Sequence, residues 1–467
     1  MTRERPSERL RVPQPVIRSR LPSGRGATEQ PNVTGDGPAS LSLVFWLLVA
    51  AAGVGAGLLG DAMMVVLFNV QHLAYGYDTG TFHHAGSFEA AVARAPAGRR
   101  VIDLAVAGAL GGLAWYLLRR LTEGEKSELD DVAWHGGRLS ARRSLGTGII
   151  SEVVIGLGAS LGREQAPKLL GGVTGSLLAD RFALTAAQRR LLIACGGGAG
   201  LAAVYNVPLG GALFTAEVLL GTLALPVVLP ALACCLTATF TSYLYLPARA
   251  TYPGIPAYHL TWPLMAWALL AGPAIGLFAV GYTRLVGWVS HHAASGRAMI
   301  PAMLAAFTAL GLLGIAFPQL FGNGKGMADD AFTGAGGAGL LLALFALKPL
   351  VTAMCLGSGA SGGLLTPTLS TGAVLGGGAG ILWSMAWPGS PSGSYAMVGA
   401  AAMLGAGMQA PLASLALVLE LTSGGFGIIA PMMTATIIAT AVARHLDGYS
   451  IYSARLRAQP GAPPAAE

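Results

Sequence analysis

The sequence predicts an all-α polytopic membrane protein, and three observations lead to this fold class. Hydrophobic residues make up 53% of the 467 residues and charged residues only 11%, whereas soluble domains contain about 25% charged residues. The mean hydropathy is +0.60. Glycine occurs 67 times, and small residues let helices pack closely in lipid. Helices that cross a membrane and pack through small residues therefore fit the composition better than a soluble domain.

Apolar segments follow one another closely along the chain, with many of them too short to span a bilayer. They cover about 41–70, 101–118, 145–161, 164–182, 189–204, 208–221, 224–245, 261–290, 299–317, 338–355, 364–384, 394–408, 410–422 and 426–444. A spanning helix needs about 20 residues. Short helices broken by glycine or proline are tolerated in a membrane only where their free backbone groups are buried in protein or line a cavity. We therefore predict tilted, broken and re-entrant helices, as in ion transporters.

The two ends of the chain are polar and basic. Residues 1–40 contain seven arginines and six prolines, so we expect a disordered tail that lies in the cytoplasm by the positive-inside rule. Arg444, Arg455 and Arg457 predict that the C-terminus, with a short tail at 458–467, is cytoplasmic too. The expected location is the plasma membrane, with membrane lipid around the helices.

Several function classes are excluded by composition. The eight histidines show no metal-ligand spacing, so no metal or cofactor is predicted, and no nucleophile set indicates an enzyme. A nucleic-acid partner would need a basic stripe interleaved with aromatic residues. The four cysteines lie in apolar stretches, as small buried residues do: Cys195, Cys234, Cys235 and Cys355. A sodium-coupled symporter would need an acidic cluster that the sequence lacks.

A repeat relates the two parts of the chain. The motif NVPL at 206–209 precedes Glu217, and QAPL at 409–412 precedes Glu420 at the same spacing. The offset between the two copies is close to 200 residues, which indicates one duplication. Transporters are often built from two inverted repeats with the site between them.

A second pair of motifs shares this offset. GASLG at 158–162 precedes Pro167, and GASGG at 359–363 precedes Pro367. We therefore expect two pseudo-symmetric halves, at about 41–245 and 261–457.

Each glycine-rich motif is followed by an apolar helix, which places helix N-termini inside the membrane. Their free N–H groups and partial positive charge bind anions. Partial charges suit a conducted anion better than a buried lysine, which would hold it too tightly. Glu164 would compete with an anion for these donors when ionised and leave when protonated. The alternative is a salt bridge between Glu164 and Arg163, but adjacent residues at a helix start face each other poorly.

Three motifs resemble the CLC family of chloride channels and chloride/proton exchangers over residues 41–457. GREQAP at 162–167 resembles the family's G-R-E-G-P, GLLTP at 363–367 resembles G-x-F-x-P, and IYSA at 451–454 resembles the segment of an anion-binding tyrosine. Only 15 residues follow Tyr452, so we expect a prokaryotic type without C-terminal CBS domains.

The resemblance implies a CLC-type inverted repeat and a homodimer with one pathway per subunit for chloride or another small monovalent anion. It implies that Glu164 is the gate, which takes up protons. The residues that it places at the anion are Gly162, Arg163, Gly363, Leu364, Leu365, Pro367 and Tyr452.

The sequence also departs from the family pattern. G-S-G-I-P, expected about forty residues before Gly162, is absent, and residues 121–128 read LTEGEKSE. The serine that coordinates the anion in the family is therefore unassigned, with Thr122 and Ser127 as the hydroxyls in that segment. Leu365 replaces a phenylalanine, and Gln165-Ala166 alters the turn after the gate.

The most informative departure concerns protons. Glu217 matches the first of two family glutamates, but the second, which relays protons in the exchangers, is Val218. This favours passive chloride conduction gated by Glu164, with a chloride/proton antiporter that uses another intracellular proton route as the alternative. Glu217 and Glu420 are predicted to have structural roles, although Glu217 could also belong to a proton route. Lys348 could raise the local potential or snorkel to the surface.

Overall fold

A computed structural model describes residues 42–77, 87–125 and 128–456. Within these ranges the regular structure is helical apart from one isolated β-bridge, which agrees with the predicted all-α class. The predicted tails at 1–40 and 458–467 lie outside the described residues. The helices are α1 Leu43–Tyr75, α2 Phe88–Arg94, α3 Ala97–Leu121, α4 Leu129–His135, α5 Ala141–Gly156, α6 Gln165–Arg181, α7 Ala186–Tyr205, α8 Pro208–Phe214 with a π-helix at Thr215–Leu220, α9 Leu225–Ser242, α10 Trp262–His291, α11 Met299–Ala316, α12 Lys325–Thr333, α13 Ala338–Gly357, α14 Leu365–Ala386, α15 Ser392–Met408, α16 Pro411–Thr422 and α17 Ile429–Leu446.

Eight helices of the described part are long and apolar enough to cross a membrane: α1, α3, α9, α10, α11, α13, α14 and α17. The 33 residues of α1 would extend about 50 Å, and a hydrocarbon core is about 30 Å thick, so this helix is long enough to span it even when tilted. Two apolar elements are shorter, Pro208–Leu220 and Pro411–Thr422. The chain is therefore a multi-pass membrane protein with both full-length and broken helices, as its segment lengths predict.

Two helix pairs form the centre of the molecule. Helix α6 packs on α7, and α14 packs on α15. At the first crossing Gly171 faces Gly196, and at the second Gly372 faces Gly399; a Cβ atom on any of these glycines would collide with the facing backbone. The high glycine content therefore serves close helix crossings. The two pairs occupy equivalent places in the predicted repeat, and the half boundaries at 245 and 261 stay a prediction.

Candidate anion pathway

The loops that precede α6 and α14 meet in the centre of the chain. Gly158 and Gly359 begin these loops with positive φ angles of 112° and 94°, which only glycine adopts without strain. The Gly162 N–H donates to the Gly363 carbonyl at 2.8 Å, and the Gly363 N–H donates to the Gly162 carbonyl at 2.7 Å. This bridge joins the two predicted motifs and holds both helix starts side by side. Because both N–H groups are used in the bridge, the amides nearest an anion belong to the following residues.

Glu164 lies immediately after the bridge and is fully buried. Its Oε1 accepts the Leu365 N–H at 2.8 Å. Its Oε2 accepts hydroxyl hydrogen bonds from Thr366 and Tyr205, each at 3.2 Å. Glu164 precedes α6 but binds the first turn of α14, so it crosses from one repeat to the other. The carboxylate occupies the helix N-terminus that the sequence predicts as an anion site.

Two of these partners were not predicted from the sequence. Thr366 is the variable residue of GLLTP, and Tyr205 ends α7 beside NVPL. The Tyr205 hydroxyl lies 2.8 Å from Thr366 Oγ1 and accepts from Asn323 Nδ2 at 3.4 Å. Both residues adjoin predicted motifs, but their meeting at Glu164 depends on the packing of α7 against α14, which no local pattern reveals.

Arg163 packs against two aromatic rings, one of which belongs to the Glu164 partner Tyr205. Its guanidinium lies 5.0 Å from the Tyr205 ring centroid and 5.9 Å from that of Phe68, in the range of cation–π contacts. It lines a cavity of about 270 Å³ with Arg249 and Lys325, which we term the Arg163 cavity. The guanidinium therefore raises the positive potential at the mouth of the site.

A second cavity, of about 440 Å³, is lined by Arg119, Arg143, Arg455, Glu128 and Ser361, and we term it the Arg119 cavity. Arg119 also donates to the Gly359 carbonyl at 2.9 Å, so this cavity reaches the loop before α14.

The two cavities lie at opposite ends of α3. Arg119 is in the last turn of α3, whereas Arg99 in its first turn donates to the Leu73 carbonyl at 2.8 Å, near Gln71 of the Arg163 cavity. The 25 residues of α3 extend about 37 Å. One cation-lined cavity therefore contains Arg163, next to the buried Glu164, and the other reaches Gly359 and Ser361 in the loop before α14.

A buried lysine lies between the gate and Tyr452. Lys168 is on α6, four residues after Glu164, and only 3% of its surface is exposed. Its Nζ lies 4.8 Å from the Tyr452 ring centroid and 5.0 Å from that of Phe214. Tyr452 is itself 2% exposed. The expectation that partial charges alone surround the anion therefore omitted a full cation next to the predicted tyrosine. The available signal was the i, i+4 spacing, which places Lys168 on the same helix face as Glu164.

The missing serine motif leaves no hydroxyl at the site from the described residues of its segment. Thr122 donates its Oγ1 to the Leu118 carbonyl at 2.6 Å, inside the last turn of α3. Ser127 lies outside the described residues. Val218 is buried in the π-helix, and its carbonyl accepts the Trp134 Nε1 hydrogen at 3.1 Å. This contact ties α4 to the end of α8.

Lys348 is fully buried, so of the two alternatives left open for it, snorkelling to the surface is excluded. Its Nζ donates to Ser160 Oγ at 2.8 Å, to the Gly322 carbonyl at 2.8 Å and to the Leu320 carbonyl at 3.3 Å. These three acceptors satisfy the three donors of an ammonium group. Lys348 thus connects the GASLG loop to the residues that precede α12.

Glu217 and Glu420 form reciprocal contacts between the repeats. Glu217 accepts the N–H groups of Leu412 at 3.3 Å and Ala413 at 2.6 Å, at the start of α16. Glu420 accepts those of Leu209 at 3.0 Å and Gly210 at 2.6 Å, at the start of α8. Each carboxylate satisfies free donors of the helix that begins the other repeat motif. These contacts are those of helix caps.

The four cysteines are buried and unpaired, as their apolar surroundings predict.

Residues 107–444 match the model of the voltage-gated chloride channel family. Relatives named voltage-gated ClC-type chloride channel ClcB include one from Salmonella typhi, which is 30% identical over 76% of this chain and 86% of its own length. Another, from Yersinia pseudotuberculosis, is 32% identical over 79% of this chain and 90% of its own length.

Solved structures share the fold. A structure titled as a slow cyanobacterial Cl⁻/H⁺ antiporter has a TM-score of 0.75 and 22% identity over 88% of this chain and 97% of its own. One titled as a CLC-type fluoride/proton antiporter has a TM-score of 0.67 and 20% identity over 88% and 97%.

The family model and the relatives show that this chain is a membrane protein of a class that transports anions. The chain belongs to the CLC family of voltage-gated chloride channels, as its motifs predict.

Proposed function

We propose that this chain conducts chloride passively through a pathway that Glu164 opens and closes. The observation that carries the proposal is the position of the Glu164 carboxylate on the Leu365 N–H, a buried helix start. A carboxylate and a chloride ion are both small monovalent anions, so they compete for the same donors. The ionised side chain blocks the site, and a protonated one releases the amide to the anion.

The anion reaches the gate from two sides. On one side are Arg163 and the Arg163 cavity; on the other are Tyr452 and the Arg119 cavity. The amides of Leu364 and Leu365 and the Tyr452 hydroxyl are the proposed anion donors. Gly162, Gly363 and Pro367 shape the backbone that presents these amides, with the two glycines held by their bridge.

Val218 favours conduction over exchange because a valine side chain cannot carry a proton. A chloride/proton antiporter with another intracellular proton route is the second candidate. Asp130 is the observation that favours it. Its Oδ1 is buried and lacks a hydrogen-bond partner within the described residues, and the carboxylate lies near enough to Lys168 to interact electrostatically.

We further propose a plasma-membrane homodimer with both termini in the cytoplasm. The basic residues at both ends support this orientation through the positive-inside rule. The short helices α8 and α16 pack on each other and expose Leu209 and Leu412, an apolar face that a second copy or lipid would cover.

The test is chloride flux in liposomes that contain the purified protein, with the voltage of zero net current measured under a tenfold proton gradient. A passive pathway gives a voltage set by the chloride gradient alone, and protons do not move against their own gradient. A voltage that follows the proton gradient would replace conduction by exchange. The D130N variant then decides whether Asp130 carries the proton, because it would abolish proton movement while chloride still crosses the membrane.

A further inference from the structure

The proposed pathway contains a buried cation, Lys168, whose role is explained neither by the sequence motifs nor by the gating of Glu164. Lys168 lies one helical turn beyond Glu164, and its N–H donates to the Glu164 carbonyl at 3.2 Å. Residues four apart share a helix face, so both side chains project toward the same side of α6. Glu164 contacts α14 there, and Lys168 contacts Tyr452 and Phe214. The ammonium is thus placed between the gate and the Arg119 cavity side of the molecule.

The ammonium group of Lys168 has aromatic neighbours instead of acceptors. Within the described residues its recorded contacts are the faces of Tyr452 and Phe214, so its three N–H donors have no acceptor there. The charged groups that interact with it electrostatically are Asp130, Glu164 and Arg455. An ammonium removed from water without acceptors is unfavourable, so the arrangement favours an anionic partner that the chain itself does not supply.

Asp130 has the complementary property. Its Oδ1 is buried without a hydrogen-bond partner in the part of the chain that the structure describes. Lys168 is the first among the charges that act on it. The carboxylate and the ammonium form no ion pair within 4 Å among the described residues, since such pairs there join arginines to aspartates. The two groups therefore interact electrostatically without forming an ion pair that would occupy the Lys168 donors.

We propose that Lys168 is a direct ligand of a small monovalent anion, in a site between its ammonium and the Tyr452 hydroxyl, and that Asp130 limits the affinity. This inference rests on the proposed anion pathway. The ammonium supplies the hydrogen-bond donors that the missing serine would have given. Among the described residues, the hydrogen-bond partner of the Tyr452 hydroxyl is Met408 Sδ at 4.0 Å, which leaves the hydroxyl able to donate to the anion.

The counter-charge resolves the objection that a buried lysine would trap chloride. Conduction requires an anion to bind and to leave again. A nearby carboxylate lowers the positive potential at Lys168 without occupying its donors. The faces of Tyr452 and Phe214 stabilise the ammonium while no anion is bound. The attraction of Lys168 for the anion is therefore reduced by the opposing charge of Asp130.

The test compares chloride and bromide flux into liposomes as a function of anion concentration, with ionic strength held constant by gluconate. Lys168→Met should raise the half-saturating chloride concentration about tenfold, as expected for one hydrogen bond to a charged group, and Lys168→Arg should keep it near wild type. Asp130→Asn should lower it and slow the maximal flux. Lys348→Met is the matched control, a second buried lysine with three acceptors, and should lower the yield of folded protein without changing half-saturation.

The outcomes separate this inference from the proposed function. A wild-type protein that carries no chloride defeats both. A wild-type flux with unchanged half-saturation in K168M overturns only the assignment of Lys168, as does a K168M variant that alters proton movement alone. If K168M does not fold, D130N decides the matter: tighter anion binding supports the site, and unaltered or weaker binding overturns it.

Discussion

Two sets of carboxylates bind helix N-termini in this protein, and they differ in the kind of donor. Glu217 and Glu420 each accept two backbone N–H groups across the repeat. Glu164 accepts one N–H, from Leu365, and two hydroxyl groups. A backbone N–H can only donate, whereas a hydroxyl can also accept. When it is protonated, Glu164 can therefore keep its two hydroxyl partners. Glu217 or Glu420 would instead lose favourable contacts with two amides.

This difference separates a fixed cap from a removable one. Protonation of Glu217 or Glu420 would place an O–H donor next to backbone N–H donors, with no acceptor for its hydrogen at that helix start. Protonation of Glu164 leaves the hydroxyls of Thr366 and Tyr205 able to reorient, while the Leu365 N–H becomes available. The same residue type at the same kind of helix end thus fits a structural role in one place and a gating role in the other.

The largest expected effect is that of Glu164→Gln on pH dependence. If the ionised carboxylate closes the pathway, wild-type chloride flux rises as the pH falls, because protonation removes the competing charge. The variant should carry a pH-independent flux, about tenfold or more above wild type at high pH, since a hydrogen bond to a charged group contributes about 1.5–3 kcal/mol. Flux into liposomes between pH 4.5 and 8 measures this. Glu217→Gln is the control and should retain the wild-type profile; a pH-dependent E164Q would contradict the gate.

The next effect concerns folding. Glu420→Gln removes the charge that binds Leu209 and Gly210, and one amide must then face the NH₂ group of glutamine. We expect a loss of about 1–3 kcal/mol in stability and a thermal midpoint lower by a few degrees. Glu217→Gln should behave alike because its contacts are equivalent. Thermal unfolding in detergent, followed by size-exclusion chromatography, provides the measurement, and a midpoint within one degree of wild type in both variants would argue against caps.

A smaller change tests the bridge between the repeats. A Cβ atom on Gly363 would overlap the Glu164 side chain, so Gly363→Ala should displace the carboxylate from Leu365. Flux at high pH should rise about fivefold, less than in E164Q, because about 1 kcal/mol of the plug's binding is lost. Gly339→Ala on α13 is the matched control, since its Cβ would meet nothing within 4 Å. A G363A flux equal to that of G339A would place Glu164 elsewhere.

The smallest effect is expected for Thr366→Val, which keeps the shape and removes one hydroxyl at 3.2 Å from Glu164. The contact is long and the Leu365 N–H and Tyr205 hydroxyl still donate to the ionised carboxylate, so high-pH flux should increase only about twofold to fivefold, which corresponds to about 0.5–1 kcal/mol. Thr371→Val on α14 is the comparison, because its hydroxyl donates to the Pro367 carbonyl. Equal fluxes in the two variants would show that Thr366 does not hold the gate.

The sequence predicted the fold class, the family and the motifs that meet in the site. The motifs could be recognised because their glycine, proline and glutamate residues have local structural roles, such as the positive φ of Gly158. Lys168 was not predicted as a site residue because the rings that it contacts, Phe214 and Tyr452, are remote from it along the chain. The Gly162–Gly363 bridge was missed for the same reason. For Lys348 the sequence left two alternatives open, since its acceptors Ser160, Leu320 and Gly322 come from two segments that are remote from it along the chain.

The reciprocal caps also affect how the chain is made. The amide of Leu209 and its acceptor Glu420 are separated by 211 positions. At about 5–20 residues per second, a ribosome needs roughly 10–40 seconds to cover that distance. Throughout this interval the start of α8 lacks its carboxylate, inside or beside the membrane. The helix start in the first repeat therefore keeps unsatisfied donors until the second repeat has been synthesised. A truncated chain that ends before residue 420 should be recognised by the cell's quality control as incompletely folded.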